Sequence, residues 1–386
     1  MRRYAQEDGM KVLGFMTGTS LDGIDQAIID TDGEAQLELG AWSETPMLAQ
    51  VRTVLEQAVK AALAWPRGAA EPAVFAEARR VLVDYHLQSA DQFLRSNGLT
   101  FKDIDLMGVH GQTVLHERPQ QGRKGRTVQL FDGQAFADAT GVTVVSDFRQ
   151  ADVSAGGEGA PLAPVYHRAL VQKAGLELPV VVVNLGGVAN ITLIDENTNL
   201  MALDTGPANG LMDQWMRRHD RGDYDHEGQI AASGKVDEAV VAAYMGHPYF
   251  AASAPKSLDR YDFTLERVQG LDLTDGMATL SAFTLRSLLA GLDAVGAKPK
   301  TVVLAGGGRH NRHLVGQITA ALAPAYVVQA ETLGWRGGAL EAEAFAYMAA
   351  RTLRGLPISF PGTTAVPEPM TGGVISSPRG HAQSVA

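Results

Sequence analysis

The sequence predicts an α/β protein of two domains with mixed sheets. Two observations carry this: its 386 residues suit two domains rather than one, and one layout occurs twice along it. That layout is an apolar strand, a glycine-rich turn, a returning strand and then helices. It opens with Val12 to Met16 and Gln26 to Asp30, and restarts with the β-branched run Pro179 to Asn184, the break at Leu185-Gly186-Gly187 and the return Ile191 to Ile194. Two such halves each build a sheet covered by helices, with ligands expected in a cleft between domains.

The remaining elements follow in order. Apolar residues recur at helical spacing over Val51 to Ala64 and Ala73 to Arg95. Ile104 to Val109 reads as a strand ending in His110-Gly111-Gln112-Thr113, and Val142 to Ser146 as one ending in Asp147-Phe148-Arg149. Leu200 to Leu203 is a strand of the second half. Helices are predicted at Gly210 to Arg217, Val236 to Met245, Thr279 to Leu289 and Gly338 to Leu353, with a strand at Thr301 to Leu304. The tail after Pro357 reads as irregular. The domains are drawn as 1–148 with 338–386, and 149–337.

Composition narrows function. A net charge of −10 opposes a phosphate backbone, which argues against nucleic acid as partner. The absence of cysteine removes disulfides, thiolate nucleophiles and cysteine metal sites. The start, MRRYAQEDGMK, has no apolar run behind its basic residues and does not read as a signal peptide. No apolar run reaches bilayer length, so no membrane role is expected and the cytoplasm is the expected compartment.

Three glycine turns suit phosphate and nucleotide. Gly18-Thr19-Ser20-Leu21-Asp22-Gly23-Ile24-Asp25, between two strands, offers backbone N–H groups and hydroxyls to a phosphate. Asp22 and Asp25 are candidate Mg²⁺ ligands, Asp22 first. The alternative is a polar hairpin with turn aspartates. Asp204, closing a strand before Thr205-Gly206-Pro207-Ala208-Asn209, stands where a general base belongs; the competing role is a helix N-cap. Gly306-Gly307-Gly308, with Asn311, allows a flat ligand to approach the backbone, and Gly186-Gly187 is a candidate second phosphate clamp.

A fourth group is suited to a sugar's hydroxyls and an anionic substituent: His110, Gln112, Thr113, Arg149, Asp152 and the loop Gly156 to Leu162. Arg149 is the natural carboxylate partner, or the partner of a structural ion pair with Asp147 or Asp152. His110 reads as structural rather than as a base. Glu341 either reaches the ligand or favours a helix N-terminus.

This ordered set (GFMTGTSLDGID from Gly14, HGQT from His110, DFR from Asp147 with Asp152, GEGAPL from Gly157, NLGGVAN from Asn184, DTGPAN from Asp204, Gly306 to Gly308, Glu341 and the C-terminal PGTT and PMTGG) resembles the anhydro-N-acetylmuramic acid kinase family over nearly the whole chain. Ala208 stands where that family usually has glycine, and Trp335-Arg336-Gly337-Gly338 where it has a Pro-containing stretch. The resemblance implies a two-domain actin-like ATPase fold, a duplicated ribonuclease H-like plan with an interdomain cleft, and a homodimer. It implies ATP- and water-dependent opening of a 1,6-anhydro sugar with phosphorylation at O6, in peptidoglycan recycling. Carried over, Gly18 to Asp25 bind ATP phosphates, Asp204 is the catalytic carboxylate, and His110 to Thr113, Arg149 and Glu341 lie at the sugar. The rival readings are a kinase of another anhydro sugar and a non-enzymatic actin-like ATPase.

Overall fold

The computed structural model describes residues 9–120, 122–256, 258 and 262–379. The N-terminal reading above begins at residues 1–8, outside the described residues. The chain divides into two compact units, 1–173 with 338–386, and 174–337. The second junction between the units lies after Gly337. The first falls after Lys173 rather than after residue 148, because residues 149–173 are tied to the first unit: Thr364 donates from Oγ1 to Asp152 at 2.5 Å, and Tyr166 donates from its hydroxyl to Glu343 at 2.8 Å.

The first unit is built on a seven-stranded sheet. Its strands are β1 (Met10–Thr17), β2 (Gly23–Thr31), β3 (Leu37–Pro46), β4 (Leu106–Glu117), β5 (Arg126–Leu130), β6 (Thr143–Ser146) and, from the chain's end, β12 (Val374–Ser376). Their order is β12-β6-β4-β1-β2-β3, with β5 on β4. β1, β2 and β3 pair antiparallel, while β1–β4 and β4–β6 are parallel.

The second unit carries β7 (Val180–Leu185), β8 (Val188–Ile194), β9 (Leu200–Pro207), β10 (Thr301–Ala305) and β11 (Tyr326–Gln329), ordered β11-β10-β7-β8-β9. β7, β8 and β9 again pair antiparallel, and β7–β10 and β10–β11 are parallel. The same five-strand plan therefore occurs twice, as β3-β2-β1-β4-β6 in the first unit and β9-β8-β7-β10-β11 in the second. This is the duplicated ribonuclease H-like plan of actin-like ATPases, and it turns the sequence's repeated strand–turn–strand layout into a repeated sheet.

Alternation along β1 decides how the first sheet is covered. Leu13 and Phe15 join the core that also holds Leu55, Leu82 and Phe93 from the helices Ala49–Leu63 and Val74–Ser96. Gly14 faces the other way, onto the helix Leu340–Leu353, where a Cβ would lie 1.9 Å from the Ala342 carbonyl oxygen; at Gly108 on β4 one would lie 2.2 Å from that of Phe345. Ala27, Ala339 and Ala342 pack on this face. Small residues on the strands and an alanine-rich helix let backbone approach backbone. In the second unit, Trp215, Tyr244 and Phe283 anchor the core between the sheet and the helix Leu273–Ala294.

Three expectations are corrected. β4 does not stop at His110 but runs on to Glu117, because the bulged register from Phe15 to Thr17 keeps it paired with β1 and β5 takes its far half. β3, an edge strand of alternating polarity, had no counterpart in the sequence reading. The C-terminal tail is not irregular throughout, since Val374–Ser376 pairs with β6. Among the described residues, no helix is long and apolar enough to cross a membrane.

Candidate active site

The β1–β2 turn presents Thr19, Ser20 and Asp22 as exposed groups beside Gly18. Ser20 donates from Oγ to Asp22 at 2.8 Å, and the Leu21 N–H donates to the Gly18 carbonyl. Leu21 and Ile24, grouped above with the nucleotide contacts, bury their side chains in the core and act as anchors for the turn. Gly23 is placed by packing, since a Cβ would meet the Thr45 carbonyl at 2.5 Å. Asp25 is half-buried, and its carboxyl is pushed from 3.8 up to about 7 by burial, then by the negative charges of Glu44, Glu341 and Asp22.

Around Arg149 the first unit gathers the sugar-type group. Arg149 donates from Nε to His110 Nε2 at 3.1 Å and from Nη1 to the Gly159 carbonyl at 2.7 Å. Its guanidinium lies within the field of Glu341 and Asp152. His110 is buried, and burial followed by the Arg149 charge holds it far below its usual range, so it is a neutral acceptor. Glu341 is open to solvent yet ringed by enough protein that desolvation raises its carboxyl, with Arg149 opposing. Gln112 is fully buried, and Thr113 accepts from Gln129 Nε2 at 3.1 Å. Asp152 stands differently from its expected role. It is buried, its Oδ1 accepts the Gly159 N–H at 2.6 Å and its Oδ2 the Thr364 hydroxyl, so it braces the glycine loop.

In the second unit, Asp204 lies on β9 opposite Asn190, at a bulge: Ala189 pairs with Gly206 and Asn190 with Asp204, leaving Thr205 as the extra residue. Bulges re-aim side chains next to sites. Asp204 is half-buried and held from three sides. Its Oδ2 accepts the Leu258 N–H at 2.7 Å, its own N–H donates to the Lys256 carbonyl, and its carbonyl accepts the Tyr249 hydroxyl at 2.5 Å. It is therefore no N-cap, since the helix Asn209–Arg218 begins five residues on.

The β7–β8 turn is Gly186-Gly187. A Cβ at Gly187 would meet nothing within 4 Å, so packing does not require glycine there. Gly306 does need it: its φ is 75° and a Cβ would lie 2.4 Å from Asn184 Oδ1. Gly206 packs onto Ser287. Gly307, Gly308 and Asn311 line a cavity of about 760 Å³ with Asn209, Asp213, Tyr224 and Glu227. Asn311 caps the following helix by accepting the Leu314 N–H. Burial raises the Asp213 carboxyl to about 6, Arg217 lowering it and Asp223 adding to the rise.

The sequence reading missed Glu44, Tyr249, Lys256, Asp213, Tyr224 and Glu227. None lies in a motif that the sequence reading used, although Gly222 before Tyr224, Gly228 after Glu227, Pro248 before Tyr249 and Pro255 before Lys256 are local turn signals.

A family model described as anhydro-N-acetylmuramic acid kinase matches residues 10–378. The chain belongs to the anhydro-N-acetylmuramic acid kinase family. As a member it is an ATP-dependent sugar kinase. It is 53% identical over 366 residues to the anhydro-N-acetylmuramic acid kinase of Caulobacter vibrioides, covering 95% of this chain and 98% of that one. It is 52% identical to that of Phenylobacterium zucineum, covering 96% and 100%. Among solved structures it is similar to (R)-2-hydroxyglutaryl-CoA dehydratase component A of Acidaminococcus fermentans, at 14% identity and a TM-score of 0.44, covering 88% of this chain and 99% of that one.

Proposed function

We propose that this chain converts 1,6-anhydro-N-acetylmuramic acid, ATP and water into N-acetylmuramic acid 6-phosphate and ADP, in peptidoglycan recycling. Family membership supports the reaction, and one observation carries the site: a carboxylate at a bulge, Asp204, aimed by the Leu258 N–H and two backbone bonds. Cytoplasmic residence rests on the sequence reading above, and a homodimer on the family resemblance.

The chemistry follows from the substrate. Its O6 is tied to C1, so a kinase base has no hydroxyl proton to remove there. Asp204 takes a proton from a water whose oxygen bonds to C1, the C1–O6 bond breaks, and O6 bonds to the γ-phosphorus as ADP leaves. Inverting glycosidases need a second carboxylate to protonate the leaving oxygen. Here the γ-phosphoryl group takes up the electron pair of O6, so one carboxylate suffices.

We assign the first phosphate hairpin, Gly18 to Asp22, and the sugar contacts Arg149, Glu341 and Thr113 to the first unit, with His110 and Asp152 positioning Arg149 and its loop and the fully buried Gln112 behind them rather than at the sugar. To the second unit we assign the Gly186-Gly187 turn and the cavity beside Gly306 to Gly308. Among the described residues no three His, Cys, Asp or Glu side chains form a metal cage. That fits Mg²⁺, which binds through phosphates with one or two carboxylates. Asp22 and Asp25 would hold it, and it would offset charge on the phosphates.

The test is ADP release from ATP with and without the anhydro sugar, followed by the product's mass. Sugar-dependent ADP and a product heavier by one phosphoryl group (HPO3) and one water are expected. ATP turnover indifferent to the sugar would support a non-enzymatic ATPase instead, and turnover with another anhydro sugar alone would move the substrate.

A further inference from the structure

The cavity of the second unit is within the roughly 300–1,000 Å³ of small-ligand pockets, and its wall mixes two kinds of group. Gly307, Gly308 and Asn209 supply backbone and amide, with Asn209 Nδ2 donating to the Leu185 carbonyl at 2.9 Å. Asp213, Asp225 and Glu227 supply carboxylates, beside Arg309, His310 and Arg312. Phosphate oxygens are repelled by carboxylates and accepted by amides, so the carboxylates suit the uncharged part of a nucleotide.

The three acids are not equivalent. Asp225 is buried and occupied, accepting the N–H groups of Ile230 and Ala231, each at 3.0 Å. Asp213 lies on the helix Asn209–Arg218 in ordinary helical backbone. Glu227 has φ 56° and ψ 10°, a left-handed conformation in which a residue with a side chain is strained. Glycine would relieve this, and the next residue, Gly228, is one. There φ is 75° and a Cβ would lie 2.1 Å from Asn311 Oδ1, so packing demands glycine at 228. No such steric demand explains a glutamate at 227. Among the described residues its carboxylate, one-third exposed, pairs at 3.1 Å with Arg312 Nη2, a side chain 80% exposed, and such a pair adds little to folding.

Resting on the nucleotide reading of this cavity, we propose that Glu227 selects ribonucleotides by accepting hydrogen bonds from the ribose hydroxyls, with Arg312 orienting it. An ionised carboxylate accepts without donating and suits the two vicinal hydroxyls of ribose. The left-handed backbone and the exposed ion pair together hold an acceptor in the cavity wall.

The experiment is calorimetric titration of the full chain, without sugar, with ADP, 2′-deoxy-ADP and 3′-deoxy-ADP. Wild type should bind at least one deoxy analogue about tenfold to a hundredfold more weakly than ADP, the range of a hydrogen bond to a charged group. Glu227→Ala and Glu227→Gly should bind ADP about as weakly as wild type binds that analogue, and should no longer separate the nucleotides. Glu227→Gly should melt no lower than wild type, which sets loss of the ligand contact apart from loss of fold. Asp213→Asn should keep the discrimination. Binding of ADP by wild type without discrimination, or discrimination surviving in Glu227→Gly, overturns the assignment alone. No binding of ADP to wild type overturns it together with the nucleotide reading.

Discussion

Glu44 and Asp204 hold the same register position in the two sheets. Met16, Asp25 and Glu44 lie side by side across β1, β2 and β3, one step out from the β1–β2 turn. Asn184, Asn190 and Asp204 lie across β7, β8 and β9, one step out from the Gly186-Gly187 turn. The duplicated plan thus puts a carboxylate on the third strand twice, beside two different neighbours. Asp204 sits next to a neutral amide and accepts an N–H. Glu44 sits next to another acid, and that repulsion is one of the causes that lift Asp25.

A pH dependence follows. With its carboxyl raised to about 7, Asp25 keeps a proton in the folded chain over a range where the unfolded chain has lost it. Between about pH 4 and pH 7 the native state therefore binds more protons, and this group's contribution to stability falls as pH rises. Glu44→Gln should lower the Asp25 pKa without restoring it fully, because burial is the larger cause, and should flatten the fall. Melting curves of both chains at intervals from pH 4 to 8 measure this, with Asp25→Asn as the reference that lacks the titration. An unchanged slope in Glu44→Gln would show that the two carboxyls do not interact.

Asp152 is a brace, and its loss should show as one. Asp152→Ala leaves the buried Gly159 N–H and the Thr364 hydroxyl without their acceptor, at a cost of about 1–3 kcal/mol. The Gly159 carbonyl holds Arg149, so the half-saturating sugar concentration should rise while ADP binding stays put. Denaturant midpoints and ADP titration separate the two effects. A variant of unchanged stability would contradict the buried geometry.

How far the residues announced this structure depends on whether their role was local. The two strand–turn–strand segments and the strand that carries Asp204 were legible because glycine breaks the apolar runs there, and the duplicated sheets because β-branched runs recur with the same punctuation. β3 was not: Leu37–Pro46 alternates burial and exposure at a sheet edge, and its glycine and proline read as loop. Leu258 and Tyr249 meet Asp204 from some fifty residues away, and nothing in their surroundings encodes that contact. Leu21 and Ile24 show the opposite error, where membership of a motif hid two ordinary core side chains.

Gly14 and Gly187 divide the glycines by their reasons. Gly14→Ala drives a Cβ to 1.9 Å from the Ala342 carbonyl, and overpacking of this kind costs about 1–3 kcal/mol or more. It should melt lower by on the order of 2–4 °C per kcal/mol, with the second unit still binding ADP. Gly187→Ala meets no atom within 4 Å and should leave the melting temperature alone, yet crowd a phosphate and raise the half-saturating ATP concentration. Thermal melts beside ATP titration of turnover test both. A Gly187→Ala chain with wild-type ATP dependence would remove that turn from the nucleotide contacts.

Asp204→Asn is the sharpest test of the chemistry. The amide oxygen still accepts from the Leu258 N–H, and the backbone bonds to Lys256 and Tyr249 do not involve the side chain, so the strand end and its bulge are kept. What is lost is the ability to take a proton from water. Removing a positioned base lowers rates by about 10² to 10⁴. Sugar-dependent ADP release should fall by that factor, while ADP titration and the melting curve stay at wild-type values. Asp204→Glu keeps the base but moves it by a methylene, and should retain more turnover than Asp204→Asn. If Asp204→Asn turned over near the wild-type rate, water would be activated elsewhere, and Asp204 would be a strut for Tyr249, Lys256 and Leu258.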